Sequence, residues 1–479
     1  MPLTEILADL ALNTPADEIP DRAYDAAKKM ILDTIGTTIG GCNTGGMPEV
    51  IAQMRDWGGK PEATLLIHGG KLPAPLAAFA NSSMAHALDF DEVLKPSSLH
   101  IMVSVLPVAL AAAEMTDASG KDVLASVVLG VEVAGRLGLA FRKQKPKASY
   151  NTGGFLPSSV VGGFGTTATA CRLLGMTVEQ TVYAMGMHYA QASGNRQALF
   201  DKTLTKRLQP AFAARGALWA AALAKRGVTG PPNALEGRAN LFSVYRNAEP
   251  CSAEDLAEPR DFYEIERSSV KHYPVCGGTM TDAAVRLGRQ REFTSDEIDR
   301  IEIYMAGGRG GLTVGAFEMG PNPQVSAQFC AAYYAALGVL RGRATPADFV
   351  DEQVQKDSEV AELAERVVLV TEMPEAPAPP PNDPDDPLSP QNWSGDAHSV
   401  HGIKVTTKDG QVFTCFRTTR EAFGPDTMTL EDVIAKFHHL AEFSGVCPKE
   451  RANALRQGVL DLDAVAHISD FVNECVLLS

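Results

Sequence analysis

The sequence predicts a mainly α protein, a large all-helical domain with a smaller inserted α+β domain. Three observations predict it. Apolar residues recur at the helical period from the start to about Leu256. Near Phe262 the texture changes to strand-like alternation and turn signals. At Leu430 the helical period returns, so the middle block interrupts the helical one. The boundaries fall at residues 1–265 for the first helical part, 266–418 for the α+β block and 419–479 for the closing helical part.

Residues 21–37 place Ala23, Ala27, Met30, Ile31 and Ile35 on one stripe, as an amphipathic helix requires. Residues 74–90 do the same with Leu76, Phe79, Ala80, Met84 and Ala87. Residues 104–115 and 121–141 are so rich in Ala, Val, Leu and Gly that they read as helices buried on most sides. Residues 166–174, 178–192 and 209–224 continue the pattern.

In the middle block, residues 298–304 alternate apolar and polar side chains, the mark of a half-buried strand. Residues 366–371, 403–407 and 411–417 follow, the last two joined by Lys408-Asp409-Gly410, a hairpin signal. Helix-like stretches at 324–341 and 354–365 lie between them. Residues 372–395 are proline-rich and acidic and are expected to form an extended surface loop. Helices are expected again at 430–443, 448–460 and 464–475.

The 479 residues are 45% apolar and 21% charged, an ordinary globular balance. A formal charge of −15 argues against nucleic acid or an anionic membrane as partner. Runs of about 20 uninterrupted apolar residues are missing, so no membrane span is expected. Acids stand near the N-terminus where a signal peptide would carry basic residues, so a cytoplasmic location is expected. The eight cysteines are scattered without a CxxC pair, which suits reduced thiols. With no HxH or HExxH spacing either, no metal is expected. Gly307-Gly308-Arg309-Gly310-Gly311 lacks the GxGxxG register, so no dinucleotide and no other cofactor is expected.

Chemistry concentrates in three segments. In His86-Ala87-Leu88-Asp89-Phe90-Asp91-Glu92, followed by Ser97-Ser98-Leu99-His100, an apolar helix ends in a run of carboxylates with a histidine just beyond. A solvated acidic helix end is the plain alternative, but acids at a helix C-terminus oppose the macrodipole. Lys206-Arg207-Leu208-Gln209-Pro210 opens an Ala-rich helix, where two cations and free backbone N–H groups make an anion seat or, more plainly, a soluble surface. Lys271-His272-Tyr273-Pro274-Val275-Cys276-Gly277-Gly278 precedes a helix near the domain boundary and reads either as a cleft-lining loop or as an ordinary surface one.

Taken in order, these segments resemble the MmgE/PrpD family over nearly the whole chain. The resemblance includes 27–41 (Ala-Lys-Lys-Met-Ile-Leu-Asp-Thr-Ile-Gly-Thr-Thr-Ile-Gly-Gly), the His86 block, residues 162–175, Lys206-Arg207-Leu208-Gln209-Pro210, residues 227–237, Lys271-His272-Tyr273-Pro274 and residues 325–330. It implies a homodimer whose large helical domain carries a smaller lid domain, with the active site between the two. It also implies dehydration, decarboxylation or epimerisation of a small di- or tricarboxylic acid without a cofactor. Dehydration of a 2-methylcitrate-like hydroxy acid is the first expectation, and decarboxylation of a cis-aconitate-like acid or epimerisation the next. By the same resemblance, His100, Asp89, Lys206 and Lys271 fall on positions linked with proton transfer and substrate binding. Asp91, Arg207, Gln209, His272, Leu156 and Cys276 are the expected substrate-binding neighbours.

Four positions depart from the family pattern: Leu156 and Gln209 stand where histidine is common, Val93 where threonine is usual, and the region of Cys276 lacks a histidine of the decarboxylase branch. Leucine carries no proton, so a less charged substrate, or a homologue that binds a ligand without turnover, is the alternative. Building negative charge beside a carboxylate calls for cations, and the two lysines supply them. A histidine, with an ordinary pKa of about 6.5, suits proton exchange at neutral pH.

Overall fold

The computed structural model describes residues 1–144, 154–305, 315–370, 372 and 399–478. The glycine run 307–311, His398 and all of the proline-rich segment except Glu372 lie outside the described residues.

The chain divides into two compact units. The first comprises Met1–Arg196, Arg207–Val270 and Thr429–Ser479, and the second Gln197–Lys206 and Lys271–Met428. The first border lies a few residues beyond position 265 because Ser268–Ser269 pairs antiparallel with Val93–Leu94 and so stays with the helical unit.

The first unit is mainly helical, with two short antiparallel strand pairs, Ala63–Thr64 with Lys71–Leu72 and Val93–Leu94 with Ser268–Ser269. Asp21–Gly41, Ala74–His86, Met102–Thr116, Gly120–Lys143 and Gly162–Leu173 form its centre. Leu430–Ser444 packs on the Asp21–Gly41 helix, where Gly36 and Gly40 admit Phe437 and Leu440; a methyl group on Gly40 would stand 2.7 Å from a Leu440 methyl. Gly120–Lys143 is long and apolar enough to cross a membrane by composition, yet its apolar stretch is wholly buried, as in a core helix. Ser119 and Asp122 form a reciprocal capping box at its start.

The second unit holds a four-stranded sheet in the order Val367–Val370, Ile298–Met305, Val400–Thr407, Val412–Thr418. The first pair is parallel and the others antiparallel. Ile298, Ile301, Ile303, Ile403 and Val405 form one buried core with the helices Gly278–Gln290 and Ala331–Arg341. Gly410, at φ 88°, makes the expected hairpin turn. The expected long helix over 324–341 is two, Pro323–Gln328 and Ala331–Arg341, because the chain leaves helical geometry at Phe329 and Cys330. Likewise 354–365 is split by Asp357, whose carboxylate caps Ser358–Ala364.

Candidate active site

The site is built around Asp91. The Ala74–His86 helix stops at His86, earlier than its apolar pattern suggests, and Asp89 adopts φ 50°. The helix expected over residues 74–90 therefore ends short of Asp89, and the chain turns so that Asp91 faces back to His86. Beyond it, Leu94 and Leu99 exchange both backbone hydrogen bonds (2.8 and 3.2 Å), closing a tight hairpin with Ser98 at φ 57°. That hairpin returns His100 to Asp91.

The Asp91 carboxylate accepts from two histidines, from His86 Nδ1 at Oδ1 (2.9 Å) and from His100 Nδ1 at Oδ2 (2.8 Å). The two rings meet edge to face with centroids 5.3 Å apart. Asp91 is fully buried and burial alone would raise its pKa, but His86 and His100 outweigh this and hold it well below the usual carboxylate range. An ionised carboxylate can only accept, so both imidazoles carry a proton on Nδ1. In a neutral His100 the lone pair is then on Nε2. His86 is buried, whereas the His100 side chain is 24% exposed. Of these two rings, His100 is the one that solvent reaches.

Two further groups fix His100 through its backbone. Its own N–H donates to Ser158 Oγ (2.9 Å), and Glu92 Oε1 accepts from the next two amides, of Ile101 (2.9 Å) and Met102 (3.0 Å). Glu92 thus caps the Met102–Thr116 helix, which has no cap of its own. Burial first, then Asp91 and Asp33, push the Glu92 carboxyl up to about 8. Glu92 is therefore mostly protonated at neutral pH.

His86, Asp91 and His100 are also side chains that could hold a metal ion, since their ligand atoms lie within 4.8 Å of one another. The same nitrogen and oxygen atoms already satisfy one another as hydrogen bonds.

The other expected residues are placed as follows. Asp89 is buried, two residues from the carboxylate that holds His100. Leu156 is half-buried and donates its N–H to the Gly194 carbonyl (3.1 Å). Gln209 is occupied at both ends of its amide, accepting from the Asn195 N–H (2.7 Å) and donating to the Asn195 carbonyl (2.8 Å). Arg207 is buried and donates to the Gly45 carbonyl (2.7 Å). In the second unit, Lys206 and Lys271 are both buried, and Lys206 Nζ lies 4.9 Å from the Phe329 ring centroid. His272 Nε2 is 3.0 Å from Thr427 Oγ1, and Cys276 is exposed. The role of His86 was not foreseen. A His-x4-Asp-x8-His spacing matches no standard ligand or triad pattern, and only the hairpin gives it meaning.

The MmgE/PrpD N-terminal domain model matches residues 5–254 and the MmgE/PrpD C-terminal domain model matches residues 273–463. The chain belongs to the MmgE/PrpD family. It is similar to curated proteins named cis-aconitate decarboxylase. The one from Homo sapiens is 29% identical over 295 residues, covering 60% of this chain and 59% of that protein. The one from Mus musculus is 26% identical over 367 residues, 74% of this chain and 73% of that protein. The one from Aspergillus terreus is 27% identical over 290 residues, 57% of each. The human and fungal matches thus span less than two thirds of those relatives.

Proposed function

We propose that this MmgE/PrpD protein is a cofactor-independent lyase for a small di- or tricarboxylic acid, with His100 exchanging a proton at a carbon next to a carboxylate. The observation that carries this reading is the His86–Asp91–His100 chain, which ends in one partly exposed imidazole with its Nδ1 anchored. Sequence reasoning put dehydration first. The relatives' names favour decarboxylation of a cis-aconitate-like acid, and we adopt that as the leading reaction.

In that reaction the bond from carbon to the departing carboxylate breaks and CO2 leaves. The electron pair stays on the carbon skeleton until a carbon takes a proton from the His100 imidazolium. The ionised Asp91 stabilises that imidazolium before transfer and keeps Nδ1 protonated after it. The polyanionic substrate needs cations, and we assign Lys206 and Lys271 that role on the family likeness. Because the nitrogen and oxygen atoms of the three side chains already bond one another, no metal is needed to order them. We also propose that two copies associate, as the family resemblance implies.

The test is incubation of the full chain with a panel of polycarboxylates in D2O, followed by proton NMR. Release of CO2 with deuterium in the product supports the decarboxylase, and loss of water or inversion of a centre would reassign the reaction within the family. A thermal shift from an acid that neither reacts nor exchanges would overturn the lyase and leave a ligand-binding homologue.

A further inference from the structure

The peptide that leads into the central carboxylate is held by a residue from near the end of the chain. Lys436, on the Leu430–Ser444 helix, is buried with Asp33 of the Asp21–Gly41 helix, Nζ to Oδ1 at 2.7 Å. The same ammonium donates to the Phe90 carbonyl (2.7 Å) and lies 3.8 Å from the Phe90 ring centroid. The Phe90 carbonyl belongs to the peptide that leads directly into Asp91. One residue earlier Asp89 is left-handed, a conformation that disfavours a side chain. Leu440 from the same helix packs with Leu88 and Phe90, so the segment 88–90 is gripped by apolar contact and by charge.

An ion pair taken out of water is a poor way to gain stability, because burying two charges offsets much of their attraction. Two well-packed apolar side chains would serve a helix contact as well. What they could not do is aim a donor at the Phe90 carbonyl. We propose that Lys436, neutralised by Asp33, is a positioning residue that fixes the Phe90–Asp91 peptide and through it the Asp91–His100 hydrogen bond. This rests on the reading of His100 as the proton-exchanging group. The direct readout, however, needs no substrate.

The experiment uses the full chain with 15N-labelled histidine. In the native protein the His100 ring, identified by its loss in His100→Ala, shows a proton on Nδ1 in a strong hydrogen bond and a bare or exchanging Nε2. The informative variant is the double substitution Asp33→Leu with Lys436→Met, which leaves no unpaired buried charge. Lys436→Met alone strands Asp33 and is used only as a comparison. A folded double variant should lose the His100 Nδ1–H signal, and its turnover of any acid found by the panel should fall by about 10-fold to 10²-fold. Lys436→Arg, which keeps a donor and a charge, should recover part of the signal. A folded double variant with the native His100 signature would overturn the proposal and make the pair a core contact only. Failure of every acid in the panel would strike the proposed lyase while this NMR outcome still decides the role of Lys436.

Discussion

Asp91 Oδ2 accepts from His100 Nδ1 at 2.8 Å, while its other oxygen accepts from a histidine that solvent barely reaches. One carboxylate therefore sets the tautomer of two imidazoles at once. Asp91→Asn replaces an acceptor pair with one acceptor and one donor, so one ring must turn or change tautomer. Turnover should drop by about 10²-fold to 10⁴-fold, as it should in His100→Ala, if proton exchange runs through this ring. Steady-state kinetics on variants with native circular dichroism check it. An unchanged rate in His100→Ala would remove His100 from the chemistry.

Glu92 makes stability depend on pH in a direction opposite to an ordinary surface carboxylate. Its folded pKa is about 8, against 4.5 for the exposed group. Between those values the unfolded chain releases a proton that the folded chain keeps, so stability falls as pH rises from 4.5 to about 8. The full effect is on the order of 5 kcal/mol. Glu92→Gln keeps an acceptor for Ile101 and Met102 and removes the ionisation. Its unfolding midpoint should exceed the native one at pH 8 and match it near pH 4.5, as followed by thermal denaturation at each pH.

His188 gives the complementary slope. It is buried against Phe164 at 5.6 Å between ring centroids, its ring so close to Gly163 that a methyl there would stand 1.9 Å from Nε2. Neither ring nitrogen has a hydrogen-bond partner among the described residues. Burial lowers its pKa from 6.5 to about 4, so the folded state resists protonation that the unfolded chain accepts. Stability is complete above 6.5 and declines as pH falls toward 4, by roughly 3 kcal/mol. His188→Leu should lack that decline. Denaturant unfolding at pH 4.5 and pH 7 compares the two, and equal slopes would contradict the burial argument.

Chelation should leave the reaction untouched. Dialysis against EDTA is expected to leave turnover within a factor of about two, because hydrogen bonds already order His86, Asp91 and His100. Added zinc should instead inhibit, since it would compete for the nitrogens that carry the Nδ1 protons. A metal-depleted enzyme that recovers activity only with zinc would overturn the metal-free mechanism.

Much of the fold was legible because it follows from periodicity. The buried helices around Val103–Leu110 and Val123–Phe141, the half-buried strand Ile298–Met305 and the Gly410 hairpin each declare themselves within a few neighbouring residues. The site was legible only in part. His100 stood out as a histidine after an acidic run, but the helix expected over residues 74–90 ran on through Asp89. The left-handed turn at Asp89 broke that register and passed the central place to Asp91. Gln209, which looked like a ligand to substrate, spends both ends of its amide on the Asn195 backbone.

By itself, the order of residues determined the helical body, the inserted α+β block and the family, since all three rest on local pattern and on motifs in a fixed sequence. Tertiary structure decided which carboxylate meets His100, that His86 shares it, and that Lys436 from a late helix bonds the Phe90 carbonyl just before it. Those contacts join residues 5, 9 and 346 positions apart through turns and helix packing, and no periodic pattern along the chain encodes such distances.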